Sequence, residues 1–104
     1  MSHIISNPSA ESDMTDRFVC VIYYRERNSN DVLQNGMDPF EIWNTLRYSA
    51  FDEKVVPTIV NRLIFNNENR KFVNYNRNTR RILLTNIGRE WATSNCSKYS
   101  GTSG

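Results

Sequence analysis

Three arginines within five positions are the residues of this chain best suited to binding chemistry. They are Arg77, Arg80 and Arg81. The side chains beside them can also form hydrogen bonds, and they are Asn76, Asn78 and Thr79. Guanidinium and amide groups at this spacing suit the phosphate oxygens of a nucleic-acid backbone. A basic hairpin tip can also serve only to keep the edge of a sheet soluble. The cluster leaves both interpretations open, and we favour contact with phosphate.

The distribution of charge favours the same interpretation. From residue 70 to the end the chain has seven basic residues and a single acidic one, whereas residues 1–69 have six basic and ten acidic residues. The net charge of the whole chain is only +2 at pH 7, so the segregation matters more than the total. A basic segment on an otherwise acidic body has an electrostatic footprint suited to a phosphate backbone.

Residue combinations that support catalysis are missing from the sequence. His3 is the only histidine, so neither a histidine general base nor a zinc site has a set of partners. The chain has four glycines, of which Gly101 and Gly104 lie at the C-terminal end, so no glycine-rich phosphate loop is present. We therefore expect no enzyme activity, no metal and no cofactor.

The two cysteines do not have the spacing of a metal site. Cys20 lies in an apolar run and is expected to be a buried free thiol, whereas Cys96 lies in a polar segment. A disulfide between them is the alternative, but a reducing compartment does not favour it.

Length and composition favour one domain. A chain of 104 residues, 38% of them hydrophobic, has room for a single core. We expect polar, disordered tails at residues 1–12 and 97–104, and a domain over residues 13–96. The N-terminal segment lacks the basic start and apolar centre of a signal peptide, and no stretch approaches the roughly 20 apolar residues of a membrane span. We therefore expect a cytoplasmic protein without membrane contact.

Residues 13–27 form the first predicted element, and their pattern fits two structures. The run from Phe18 to Tyr24 is rich in β-branched and aromatic residues, which favours a strand. Apolar residues also recur at helical spacing from Met14, and an early Asp16 with a late Arg25 suits the helix dipole. We favour a helix, while residues 17–24 fit a strand as well.

Turn-rich residues 28–36, with room for a short strand, lead to a second helix. Asp38 is placed to cap it, Pro39 suits the first helical position, and Glu41 completes a pattern like a capping box. The apolar stripe that follows, through residue 47, includes Phe40, Trp43 and Leu46. These aromatic residues are expected to fill the core.

A third helix is predicted over residues 55–65. Its apolar residues recur at spacings of three and four, and they are Val56, Ile59, Val60, Leu63 and Ile64. Pro57 lacks an N–H and therefore belongs in the first turn. Three asparagines, Asn66, Asn67 and Asn69, end the helix.

A β-hairpin and a last helix complete the predicted order. Residues 71–75 alternate as a strand does, residues 76–79 have turn chemistry, and a return strand follows through residue 84. Thr85 then caps a helix over about residues 86–95. Gly88 inside that helix costs about 1 kcal/mol relative to Ala, which indicates close packing against another element.

The resulting α+β order resembles a winged helix-turn-helix domain over residues 14–94. Such a domain has a three-helix core, a two-stranded β-hairpin wing and, here, a C-terminal helix. The local sequence LTNIGREW at residues 84–91 is similar to the LT-x-x-G-x-x ending after the wing of MarR-like, PadR-like and many archaeal winged-helix regulators. This chain departs from MarR-like proteins in lacking their long terminal helices for dimerisation.

The resemblance implies a nucleoid-associated transcriptional regulator that binds specific sequences of double-stranded DNA. The third helix would enter the major groove and the wing would touch the backbone. Asn61 and Arg62 are the candidate base readers, because Asn pairs with adenine and Arg with guanine. The full set of candidate DNA-binding residues is Lys54, Thr58, Asn61, Arg62, Lys71, Arg77, Asn78, Arg80 and Arg81.

Two further expectations concern partners. A winged-helix module that docks another protein and does not bind DNA is the alternative function. Residues 18–24 are apolar on every side, more than one helix face needs, so we expect a homodimer through the first helix. A helix enclosed on both sides by its own domain is the alternative to that dimer.

Overall fold

Helices make up most of the structure, and one antiparallel hairpin follows them. The computed structural model describes residues 8–46, 48 and 51–99. Its elements are α1 (Pro8–Asn28), α2 (Asn30–Asn35), α3 (Pro39–Leu46), α4 (Val56–Asn69), β1 (Val73–Asn76), β2 (Arg81–Leu84), α5 (Asn86–Asn95) and a 3₁₀ turn (Cys96–Tyr99). This mostly helical α+β arrangement confirms the predicted fold class at that level. No helix within the described ranges is long and apolar enough to span a membrane.

The first helix runs through the centre of the core. All six residues from Phe18 to Tyr23 are buried, with exposed fractions between 0 and 8%. Helix α1 contacts α2, α3, α4, α5 and β2, so each of its faces has a neighbour from the same chain. The helical interpretation of this segment is confirmed. Burial on every side of the helix explains why this segment is continuously apolar, a pattern that also fits a strand.

This packing corrects the basis of the predicted homodimer. The expectation rested on an apolar face of α1 that the domain itself would not cover. Residues 18–23 are instead covered by the chain's own elements, and the hydroxyl of the partly buried Tyr24 donates a hydrogen bond of 2.9 Å to the carbonyl oxygen of Cys96. No apolar face of these residues is left for a second copy.

The ordered elements extend beyond residues 13–96 at both ends. Helix α1 begins at Pro8, so residues 8–12 are helical where the sequence predicts a disordered tail. At the other end the 3₁₀ turn continues to Tyr99, whose side chain is only 9% exposed. Residues 97–99 are therefore corrected from tail to part of the domain. Residues 1–7 and 100–104 lie outside the described residues.

The segment between the first two predicted helices also differs from expectation. It forms the short helix α2, in which the Ser29 hydroxyl accepts a hydrogen bond from the Val32 amide. Gly36 ends it at φ +82°, a conformation that favours glycine. The strand-like contact lies one residue later, where Met37 forms an antiparallel bridge with Ile82.

Helices α3 and α4 begin where their sequences predict, and α4 continues to Asn69, beyond the predicted residue 65. The Asp38 carboxylate accepts a 2.8 Å hydrogen bond from the Phe40 amide, and α3 starts at Pro39. Pro57 lies in the first turn of α4. The inward face of α4 consists of Ile59, Val60, Leu63, Ile64 and the fully buried Asn67.

The hairpin pairs Val73 with Leu84 and Asn76 with Arg81. With the bridge from Met37 to Ile82, β2 lies between β1 and a third, single-residue neighbour. Helix α5 follows directly, and its Gly88 amide donates a 2.9 Å hydrogen bond to the Thr85 hydroxyl, which confirms the predicted cap.

The cysteines are joined, which corrects the expectation of a buried free thiol. Cys20, on α1, and Cys96, at the end of α5, form a disulfide that spans 76 positions of sequence. Sequence spacing gave no sign of it, because only the packing of α5 and the 3₁₀ turn against α1 brings the two residues together.

Candidate functional site

The nine candidate residues are all exposed, but they do not form one patch. Lys54 precedes α4, and Lys71 follows it. The helix has 14 residues and is therefore about 20 Å long, which separates the two lysines. The other seven candidates lie on two elements. They are Thr58, Asn61 and Arg62 on α4, and Arg77, Asn78, Arg80 and Arg81 on the hairpin.

The outward face of α4 is polar at Thr58 and Asn61 and apolar at Phe65. Both polar side chains are exposed, and 59% of Phe65 is exposed. Successive turns of a helix place residues four apart on one face, so Asn61 and Phe65 are neighbours. This face therefore offers an amide and an aromatic ring side by side.

Arg62 is connected to the first helix. Its Nε donates a 2.8 Å hydrogen bond to Oε2 of Glu11, and the Asn66 side-chain amide donates to the same oxygen at 2.7 Å. The hydrogen bond from Arg62, followed by that from Asn66, lowers the pKa of Glu11, and Glu11 in turn raises the pKa of Arg62. This contact occupies Nε of Arg62 and leaves its two terminal nitrogens as the donors available to a base.

Arg77 is held in a similar way by the helix beneath the hairpin. Its two terminal nitrogens lie 3.1 and 3.2 Å from the two carboxylate oxygens of Glu68 on α4. The guanidinium carbon also lies 5.1 Å from the centre of the Tyr75 ring. The hydrogen bonds to Glu68 raise the pKa of Arg77. Arg77 therefore links the hairpin to α4 through an exposed ion pair.

Arg80 and Arg81 have no carboxylate partner among the described residues. Arg80 occupies the left-handed region at φ +58°, at the end of the hairpin turn. Arg81 approaches only a backbone carbonyl, that of Gly36, at 3.5 Å. The backbone amide of the nearby Asn78 donates a 2.9 Å hydrogen bond to the side-chain oxygen of Asn76, which stabilises the turn. The two arginines are thus the free cations of the hairpin.

A pocket that the sequence did not indicate lies beside Arg80. The pocket has a volume of about 320 Å³ and opens between the start of α3, the outward face of α4 and the hairpin. Its lining includes Asp38, Phe40, Asn61, Tyr75 and Arg80. Phe40 was expected in the core but is 44% exposed, because the stripe of α3 that faces inward is Ile42, Trp43 and Leu46. The only signal in the sequence for this wall of the pocket is that Phe40 lies two positions after the cap at Asp38.

No protein-family model, curated protein or solved structure matches the chain. The resemblance to winged-helix domains therefore rests on the order of the elements and on residues 84–91. What the surface binds has to be argued from the exposed groups of α3, α4 and the hairpin.

Proposed function

We propose that this chain is a winged helix-turn-helix domain that binds double-stranded DNA and regulates transcription. Helix α4 enters the major groove, and the hairpin acts as the wing on the adjacent backbone. The observation that carries the proposal is that Arg80 and Arg81 are exposed and have no carboxylate partner in the described part of the chain, on a hairpin that packs against α4.

The order of elements supports this proposal. Helix α1 is followed by the strand-like bridge at Met37, then by α3, α4 and the hairpin. A winged-helix domain has the same sequence of helix, short strand, two helices and hairpin. Helix α2 is an addition before the bridge, and it leaves that order unchanged.

The internal ion pairs explain why only part of the basic surplus can reach a partner. From residue 70 to the end, Arg70 pairs with Asp16 at 2.7 Å, Arg77 with Glu68 at 3.1 Å and Arg89 with Glu26 at 2.5 Å. The partly buried pairs of Arg70 and Arg89 link the end of α4 and α5 to α1, whereas the exposed pair of Arg77 links the hairpin to α4. From residue 70 onward, the cations without a carboxylate partner among the described residues are Lys71, Arg80, Arg81 and Lys98. Two of them, Arg80 and Arg81, lie on the hairpin, so the predicted cluster of three arginines is narrowed to two.

Replacing Arg80 and Arg81 together by alanine should weaken binding to duplex DNA about tenfold or more, whatever the DNA sequence. The slope of log affinity against log salt should also fall, by up to about 1.8 for two lost phosphate contacts. Fluorescence anisotropy with a labelled duplex across a salt series measures both quantities.

The matched control is the double variant Glu68→Ala/Arg77→Ala. It removes a guanidinium from the same hairpin but leaves the net charge unchanged, because the two residues form one ion pair. Its salt slope should match that of the parent protein. If the Arg80/Arg81 variant and the control bind as the parent does, the hairpin has no contact with DNA.

We expect Asn61 to distinguish DNA sequences by contact with a base, and Arg62 to contribute less to this discrimination. Asn61 makes no side-chain hydrogen bond within the described part of the chain, whereas Arg62 is bound to Glu11. Asn61→Ala should cost about 1–3 kcal/mol on the site selected from a random library, and far less on random DNA. Arg62→Ala is the comparison, with a smaller loss expected. Equal losses of Asn61→Ala on both kinds of DNA would refute base reading.

A protein-docking module is the second candidate, and exposed aromatic residues favour it. Phe65 is 59% exposed and Phe40 is 44% exposed, and aromatic residues are enriched in protein interfaces. Such a module requires no binding to DNA. A gel shift across the salt series therefore separates the two functions.

The proposed location is the cytoplasm, in association with the nucleoid, where a DNA regulator acts. The disulfide of Cys20 and Cys96 is unusual for such a place, since reducing cytosol keeps most thiols free. Intracellular proteins of hyperthermophiles are the known exception. Alkylation of free thiols in freshly lysed cells, followed by mass spectrometry, measures the state of the two cysteines directly.

A further inference from the structure

The pocket between α3, α4 and the hairpin combines apolar walls with three different polar groups. Phe40 and the partly buried Tyr75 contribute aromatic rings, and the buried Ile64 lies at the base. Flat rings bind well against aromatic side chains, since stacking needs no particular sequence of donors and acceptors. The apolar part of the pocket therefore suits a planar ligand.

The polar groups limit which planar ligand fits. Oδ1 of Asp38 accepts the Phe40 amide at 2.8 Å, which leaves the second carboxylate oxygen to accept a hydrogen bond from a ligand. Asn61 offers both a donor and an acceptor, and Arg80 offers a guanidinium without a carboxylate partner among the described residues. A ligand that satisfies these three side chains has an N–H donor for Asp38 and an anionic group for Arg80, and a planar ring system connects the two.

We propose that this pocket binds a single unpaired nucleotide whose base carries an exocyclic amino group. The base lies by Phe40 and Tyr75, its amino group donates to Asp38, and its phosphate contacts Arg80. Adenine, cytosine and guanine have such a group. Thymine offers only its ring N3–H, and the two carbonyl oxygens that flank it would face the Asp38 carboxylate unfavourably. The inference rests on the proposed function in that a DNA strand is one source of the nucleotide, and a free mononucleotide is the other.

Two titrations distinguish the sources. In the first, amide chemical shifts of the ¹⁵N-labelled protein are followed with deoxyadenosine monophosphate and with thymidine monophosphate. In the second, affinities are compared for a paired duplex and for the same duplex with one bulged adenine or one bulged thymine. We expect adenine to bind at least about fivefold more tightly than thymine in at least one titration, with shifts at the amides of residues 38, 40, 61 and 75.

The test variant is Asp38→Asn, which keeps the helix cap because Asn caps as well as Asp. It replaces the free acceptor with an amide and should abolish the preference for adenine over thymine. Asp52→Asn is the matched control, since the Asp52 carboxylate accepts the backbone amide of Lys54, two residues on, at 2.9 Å, as Asp38 accepts that of Phe40, but outside the pocket. The control should keep the full preference.

Each outcome bears on one of the two proposals. Equal binding of adenine and thymine in both titrations, or a preference that survives Asp38→Asn, overturns the pocket even if paired DNA binds with the expected salt slope. A preference among free mononucleotides without any binding to duplex DNA supports the pocket and overturns the DNA-binding function. A preference for the bulged adenine supports both.

Discussion

The variant Cys20→Ala/Cys96→Ala should lose about 4 kcal/mol of unfolding free energy relative to the oxidised protein. The disulfide closes a loop across 76 positions of sequence, most of the described chain. Restricting the unfolded ensemble with a loop of this length stabilises the fold by about 4.5 kcal/mol in the chain-entropy model, and measured values for native disulfides are about 2–5 kcal/mol.

The position of the bond adds to this effect. Cys20 is 2% exposed in the centre of α1, and Cys96 is fully buried between α5 and the 3₁₀ turn. Alanine at either position leaves space in a packed core, which costs further stability. Tyr24 donates its hydroxyl to the Cys96 carbonyl, so the end of α5 retains one link to α1 when the disulfide is absent.

Urea denaturation followed by tryptophan fluorescence measures the loss, and thermal melting should show a decrease of roughly 15 °C or more. Adding reductant to the parent protein should lower its stability towards that of the variant. The variant itself should be insensitive to reductant, which controls for other effects of the reagent. Equal midpoints for oxidised and reduced parent protein would show that the two cysteines are not joined in solution.

Gly88→Ala should destabilise the fold by about 3 kcal/mol or more, although alanine is normally the better helix residue. A Cβ at position 88 would lie against the carbonyl oxygen of Phe72 and 2.9 Å from its carbonyl carbon and Cα. These are backbone atoms, so the overlap is relieved only by moving α5 away from the start of the hairpin. The same Phe72 carbonyl accepts a hydrogen bond from the Thr85 amide, which that movement would break.

The expected change in unfolding free energy for Gly88→Ala is opposite in sign to the change that helix propensity predicts. Helix propensity alone predicts that glycine to alanine stabilises a helix interior by about 1 kcal/mol. Ser94→Ala, at an exposed position of the same helix, is the control and should change stability by less than about 0.5 kcal/mol. Chemical denaturation of the three proteins decides the matter, and a Gly88→Ala variant as stable as the parent would rule out the close contact with residue 72.

Features that depend on a few neighbouring residues could be predicted from the sequence. The caps at Asp38 and Thr85, the position of Pro57 and the hairpin turn all follow from local hydrogen bonds and backbone preferences. The need for glycine at position 88 was visible as a cost to the helix, although its partner was not. Interactions of this kind act over one or two turns, so the order of residues determines them.

The ion pairs were not predictable in the same way. The sequence shows that Arg77, Arg80 and Arg81 are close together, but not that Glu68 binds one of them and leaves the other two free. Glu11 and Arg62 are 51 positions apart, and their contact depends on how α1 crosses α4. Which cations remain available to a partner is thus set by the relative positions of the helices.

Burial and covalent pairing were likewise decided by the tertiary structure. The sequence determined that residues 18–24 are apolar and compatible with a helix, and this pattern by itself predicts a dimer surface. The folded chain covers that face with α2–α5 and places Cys96 beside Cys20. Hydrophobic burial and disulfide formation depend on distances between segments far apart in the chain, and only the packing of the helices around α1 fixes those distances.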